Sequence, residues 1–329
     1  MQNITKVTSV IIGTIIGAGF ISGQEIYSFF NKYGIYGQLG IITAVGLISI
    51  VIYKTIKIMQ EEKIQNYEEF LEKTIKSKNK IIIYTIKNII NIFLIISFLI
   101  MCSAFSTYCY ENYQIPQIIG GTIISLLSYR ILKKDIKAII KTNEILMPLI
   151  IIFIIIIGII TINWETNEQQ AENLLKPINK GILYANYNCI VLIPMIITLK
   201  KEITNKKQTK TISIISFIIM FLLTEIIYTT QNKIQINNAE MPMLEVSKQI
   251  SPIFTAIYGI MTGIAIFTSA ISAAHSLTDN LKERKKAILL ILCITAIPIS
   301  TISFSSLVNL AYPIFGLLGI IQIIFILKP

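Results

Sequence analysis

Charge is scarce in this sequence: 14% of its 329 residues are Asp, Glu, Lys or Arg, and 53% are hydrophobic. A soluble domain of this size carries roughly a quarter charged residues. The shortage excludes a large soluble domain and points to a polytopic membrane protein. Histidine occurs once, at His275, and one imidazole cannot build a metal site. The four cysteines, Cys102, Cys109, Cys189 and Cys293, have no metal-ligand spacing and lie in or beside apolar runs, as small buried side chains do. No nucleophile–base arrangement, metal cluster or phosphate loop is legible, so enzymatic activity is not expected. A charged leader followed by a cleavage site is also missing, so no signal peptide is expected.

Long apolar runs are what the chain has. Crossing a bilayer core takes about 20 residues, and ten spans are read, roughly 8–30, 37–59, 81–109, 115–132, 143–162, 181–199, 211–230, 252–277, 286–303 and 306–327. The run from Ala287 to Leu327 is too long for one crossing and is expected to turn at Ser303, Ser305 and Ser306. Net charge is +11, and its placement is asymmetric. With the N-terminus inside, cytoplasmic connections collect clusters such as Lys54–Lys57, Lys73–Lys80, Lys133–Lys137, Lys200–Lys210 and Lys282–Lys286. The outer side keeps Lys32, Lys176, Lys180, Lys233 and Lys248. That pattern follows the positive-inside rule with both termini cytoplasmic in the cell (plasma) membrane. Topology accounts for the basic clusters, so no nucleic-acid partner is expected; the lipid bilayer is.

The first span contains Gly13-Thr14-Ile15-Ile16-Gly17-Ala18-Gly19-Phe20. Hydrocarbon offers no partner to a free backbone group, and three glycines weaken a helix where it should be strongest. Broken backbone at this depth is tolerated where it lines a cavity, and there its freed groups become ligands. Glycine also serves close helix packing. An inverted-repeat transporter would break again five spans later. The sixth span there reads Gly181-Ile182-Leu183-Tyr184-Ala185-Asn186-Tyr187-Asn188-Cys189, whose asparagines either bond to other helices or line a substrate site. The expected division is a first repeat over 1–162 and a second over 163–329, within one transmembrane domain. A short helix over the outer mouth fits between Gln231 and Ile250. The eighth span adds Ala265-Ile266-Phe267-Thr268-Ser269. Its hydroxyls are hard oxygen donors suited to a small cation, or they bond back to the preceding turn. Glu25, in the outer half of the first span, is either a functional acid by default or a solvated acid at a helix end.

These residues resemble those of the LeuT-fold amino acid/polyamine/organocation (APC) transporters. Within them the Gly-Ala-Gly-Phe-x-Ser-Gly-Gln-Glu pattern, Gly17 to Glu25, is similar to that of YkvI-like bacterial membrane proteins. The resemblance implies an all-α integral membrane protein of ten helices in a 5+5 inverted repeat, with helices 1 and 6 unwound at mid-membrane. It implies a Na⁺ shell from the carbonyls of Gly13, Ile16 and Ala265 and the hydroxyls of Thr268 and Ser269. It implies a substrate carboxylate on the amides of Gly17, Ala18 and Gly19, next to Phe20. Tyr184, Asn186, Tyr187 and Asn188 would complete the substrate site, with third-span contacts from Met101, Cys102 and Ser103. Phe20 and Gly23 replace an asparagine and an arginine of some symporters, so the resemblance does not extend to a second Na⁺ site or an arginine gate. The activity so implied is Na⁺-coupled symport of a small neutral amino acid, or a related carboxylated amine, by alternating access, with Na⁺ as coupling ion and no other cofactor. Two alternatives stand: proton coupling in the same fold, through Glu25 or Glu225, and a membrane sensor or accessory protein with a degenerate site.

Overall fold

The computed structural model describes residues 2–75, 80–133, 137–166, 174–203, 205–234, 240–280 and 285–328. Every regular element among them is helical. In order they are α1 (Gln2–Ile15), α2 (Ala18–Ile21), α3 (Gln24–Phe29), a 3-10 segment (Asn31–Tyr36), α4 (Gly37–Glu61), α5 (Tyr67–Ile75), α6 (Lys80–Tyr113), α7 (Gln117–Leu132) and α8 (Lys137–Ile160). Then come α9 (Leu175–Thr198), α10 (Lys206–Gln231), α11 (Pro242–Ile250), α12 (Pro252–Asn280), α13 (Lys285–Ile299) and α14 (Phe304–Leu327). Among the described residues, six helices are long and apolar enough to cross a membrane by length and composition, and four shorter apolar helices accompany them. This is a multi-pass membrane protein.

Helix boundaries follow local chemistry. The apolar run after Ala287 turns at its serines: Ser303 Oγ accepts the Ser306 N–H at 3.3 Å and starts α14. Asn205 and Gln208 form a reciprocal capping box at the start of α10, which satisfies two orphan amide donors. The short helix expected between Gln231 and Ile250 is α11, opened by Pro242 at its first turn.

Much of the bundle packs in exchangeable pairs, although the extensive α9–α14 packing has no comparable α1–α8 counterpart. Across the chain midpoint α1 meets α9, α4 meets α10, α6 meets α12 and α7 meets α13. Cross pairs are matched too: α4–α9 with α1–α10, α6–α7 with α12–α13, α6–α14 with α8–α12, α8–α10 with α4–α14, and α6–α13 with α7–α12. The α9 contacts are close because side chains are missing there. A Cβ on Gly181 would meet the Gly40 backbone of α4, and one on Gly319 of α14 would meet the Asn186 backbone.

Polar contacts sort the connections to two ends. At one end Lys6 pairs with Glu202 at 2.7 Å, Lys200 donates to Gln65 Oε1 at 2.8 Å, and Asn280 donates to Asn91 at 2.9 Å. At the other, Asn31 donates to Asn232 at 2.9 Å, Lys233 to the Thr161 carbonyl at 2.7 Å, and Ser305 Oγ to Glu240 at 2.8 Å. The connections joined by these contacts divide between the two ends.

One expected feature is corrected. The sixth-span segment 184–188 is not unwound: α9 runs unbroken from Leu175 to Thr198. The asparagines do not break it because one is satisfied inside the helix. Asn188 Nδ2 donates to the Tyr184 carbonyl at 2.9 Å, one turn back.

Candidate functional site

The first span is broken twice. At the first break Gly17 is extended (φ −88°, ψ −176°). Its N–H turns to the Ile15 carbonyl at 2.8 Å instead of Gly13, and the Phe20 N–H bonds Gly17 at 3.1 Å instead of Ile16. The Gly13 and Ile16 carbonyls thereby lose their helical partners. The second break, at Ser22–Gly23, was not anticipated. Gly23 sits at φ +79°, a left-handed conformation that glycine adopts without steric cost.

A cavity of about 720 Å³ reaches the first of these breaks. It begins among Thr5, Met195 and Ser276, near the end where the chain starts, passes Gly13 and Ile16, and stops beneath Glu25. Above it the chain is closed. Tyr258 O–H donates to the Ile21 carbonyl at 2.6 Å, Gln231 Nε2 to Gly23 at 2.9 Å, and Met243 N–H to Ser22 at 2.9 Å. The second break is therefore tied to α10, α11 and α12 on the far side of the cavity.

Glu25 forms the cavity ceiling. It is 4% exposed, on the first turn of α3, and so is not a solvated acid at a helix end. Tyr187 O–H donates to one carboxylate oxygen, and the Tyr184 and Tyr312 hydroxyls border the same group. The other oxygen lies against Gly19, where any Cβ would overlap it. The rings pack around this point: Tyr187 and Tyr312 stack with centroids 4.6 Å apart at 30°, and Tyr184 meets Tyr187 edge to face, 5.3 Å apart at 84°. Phe29 adds a T-shaped contact to Tyr184 at 5.3 Å. Each such pair contributes about 0.5–1.5 kcal/mol beyond burial.

The sequence-derived residues divide. Gly13, Ile16, Gly17, Ala18, Gly19, Glu25, Tyr187, Asn188 and Ser269 line the cavity. Three do not. Phe20 is turned to a small apolar void against Val45 and Met220. Tyr184 borders that same void and reaches the site only through its hydroxyl. Asn186 is 1% exposed and packs on Gly319 of α14, because one residue on a helix turns the side chain by about 100° from the Tyr187 face. Of the cation donors, Ser269 is in the wall, whereas Thr268 is buried and donates to the Ala265 carbonyl at 3.1 Å. That is the back-bonded state of the pair. On α6, Met101 lines the cavity. Cys102 is fully buried, and Ser103 donates to Ile302 at 2.6 Å, away from it. Tyr312 was missed; its sequence signal is a tyrosine before Pro313 in an otherwise apolar span.

A broken first helix beside a central cavity, in a bundle of exchangeable pairs, is the architecture of the LeuT-fold transporters, and solved structures agree on the fold. A Na⁺-coupled sialic acid symporter in a substrate-bound outward-open state aligns over 95% of this chain and 76% of its own, at 16% identity and TM-score 0.54. The manganese transporter of Eremococcus coleocola aligns over 97% and 76%, at 10% identity and TM-score 0.57. The inward-facing conformation of Mhp1 aligns over 96% and 73%, at 11% identity and TM-score 0.53. In sequence the chain is similar to two Bacillus subtilis (strain 168) proteins. The uncharacterized protein YyaD is 23% identical over 328 residues, covering 96% of this chain and 94% of YyaD. The uncharacterized membrane protein YkvI is 24% identical over 331 residues, covering 95% and 92%. The YkvI-like resemblance carried by Gly17 to Glu25 therefore extends over almost the whole chain. No protein-family model matches it.

Proposed function

We propose that this protein is a secondary transporter that moves a small amine-bearing solute across the cell membrane by alternating access. The observation that carries the reading is the cavity: it runs from one end of the bundle to the broken first helix and is closed beyond it by Gln231, Met243 and Tyr258. A site reached from one side and latched on the other is one of the two states that alternating access requires. A degenerate sensor would have no reason to keep such a cavity unfilled. Reading α1–α3 as one span gives ten crossings. The exchangeable packing pairs support two repeats, 1–162 and 163–329, and the lysine pattern supports cytoplasmic termini, so the open side faces the cytoplasm.

For the coupling ion, Na⁺ is the first reading. Gly13, Ile16 and Ser269 line one cavity, the first break frees the carbonyls of Gly13 and Ile16, and hard oxygen donors suit that ion. Protons are the second reading, favoured by one observation: Glu25 lies in the cavity wall. Reconstitution tests the proposal. Proteoliposomes should accumulate labelled amine solute under an inward Na⁺ gradient. Accumulation driven only by a proton gradient selects the second reading, and no flux with any gradient refutes transport.

A further inference from the structure

We infer that the solute held in the central cavity is an organic ammonium ion carrying no carboxylate of its own, bound by Glu25 within its tyrosine ring. This rests on the transport reading above and names the substrate class for the same site.

Three observations converge. Glu25 is the only acidic or basic side chain among the described residues that line the cavity, and no ion pair to it occurs among the described residues. A buried carboxylate without a counter-ion is costly, and a cationic ligand supplies the missing charge on arrival. Second, the ring faces beside it are suited to ammonium. Tyr187 and Tyr312 stack at 4.6 Å and both line the cavity beside the carboxylate, which joins ion pairing to cation–π attraction at one point. Below them Phe93, Leu94, Met101, Met147 and Ile151 give an apolar wall for an alkyl chain.

Third, the place expected for a substrate carboxylate is taken. The backbone at Gly17, Ala18 and Gly19 was expected to meet it, yet the Glu25 carboxyl already lies against Gly19. An amino acid seated there would set its carboxylate beside that of Glu25. No Lys, Arg or His among the described lining residues offsets the repulsion. The zwitterion thus gains one favourable contact and incurs one unfavourable contact, whereas the decarboxylated amine keeps only the first.

The test uses matched pairs on the purified full-length protein: leucine against isoamylamine, alanine against ethylamine, and lysine against cadaverine. Binding is read by calorimetry and by thermal stabilisation. Each amine is expected to bind at least about tenfold tighter than its parent amino acid, and Glu25→Gln to remove that preference. An amino acid binding as tightly as its amine overturns the proposal, as does failure of every amine to bind the folded protein. Unchanged amine affinity in a folded Glu25→Gln variant also overturns it. Should that variant not fold, the matched pairs on the unsubstituted protein decide alone. Flux in proteoliposomes separates this claim from transport itself. Amino-acid flux without amine binding sinks the substrate class and leaves a transporter. Amine binding without flux upholds the substrate class and sinks transport.

Discussion

The backbone N–H of Met243 donates to the carbonyl of Ser22 at 2.9 Å, joining α11 to the second break of the first span. Gln231 and Tyr258 reinforce the same stretch through Gly23 and Ile21. A hydrogen bond of this kind contributes about 0.5–1.5 kcal/mol net, so the closed far side is held by a small number of removable contacts.

The first prediction follows from that latch. Tyr258→Phe combined with Gln231→Leu removes two of the three bonds and should raise the population open on the far side. The reporter is Gln24→Cys, labelled with a membrane-impermeant thiol reagent; Gln24 is 2% exposed in the closed form. All four native cysteines are buried, which keeps the background low. Labelling should accelerate several-fold, by about tenfold for each 1.4 kcal/mol lost from the latch. An unchanged rate in a folded variant would show that the latch lies elsewhere.

A second prediction separates three glycines of one motif. A Cβ at Gly13 or Gly17 meets nothing within 4 Å, and Gly17 has a φ of −88° open to any residue. Gly13→Ala and Gly17→Ala should therefore fold with near-unchanged thermal stability. Gly19→Ala instead drives a methyl into the Glu25 carboxyl. It should abolish solute binding while the protein still folds, since Glu25 can swing into the cavity. Equal binding by Gly19→Ala and Gly17→Ala would break the assignment of Glu25 to the ceiling.

How much of this was legible in the sequence depends on the range of the physics involved. The first break was legible because Gly13, Gly17 and Gly19 weaken a helix through local backbone terms. The turn at Ser303 and the sidedness of the lysines are local as well. The second break had a local signal, the Ser22-Gly23 pair, which was read only as a lost arginine. The direction of a side chain on α9 is not local. Asn186 and Tyr187 are neighbours in sequence, but contact with Gly319 of α14 decides which of them meets the cavity. Nor could polarity alone decide whether α9 unwinds, because Asn188 has a partner inside its own helix at the Tyr184 carbonyl. Tyr312 joins Glu25 from the far end of the chain, and no spacing rule connects them.

A third prediction contrasts the two helices that the repeat argument treated alike. Amide hydrogen exchange should be slow through Tyr184–Asn188, where α9 is continuous and buried. It should be faster at Ala18 and Gly19, which follow the first break at Gly17. Protection tracks local opening free energy, so the measurement reads helix continuity directly. Fast exchange across 184–188 would restore a second unwound segment.

The last prediction concerns the cation. Gly13, Ile16 and Ser269 line one cavity, and the first break frees the carbonyls of Gly13 and Ile16. Two further candidates are engaged with one another, since Thr268 Oγ1 donates to the Ala265 carbonyl at 3.1 Å. That bond directs a proton, not a lone pair, at the carbonyl, so Thr268 can still offer its oxygen to an ion while the Ala265 carbonyl is shared. Ser269 should then matter more than Thr268. Ser269→Ala is expected to lose most of the thermal stabilisation given by Na⁺, because a ligand that binds only the native state raises stability in proportion to its affinity. Thr268→Ala should lose less of the Na⁺ response but more intrinsic stability, about 1 kcal/mol for a buried hydrogen bond removed. K⁺ at matched ionic strength controls for screening. If Na⁺ stabilises neither the unsubstituted protein nor these variants beyond K⁺, the cation site is absent, and Glu25 becomes the coupling group. In that case Glu25→Gln should uncouple amine flux from a proton gradient.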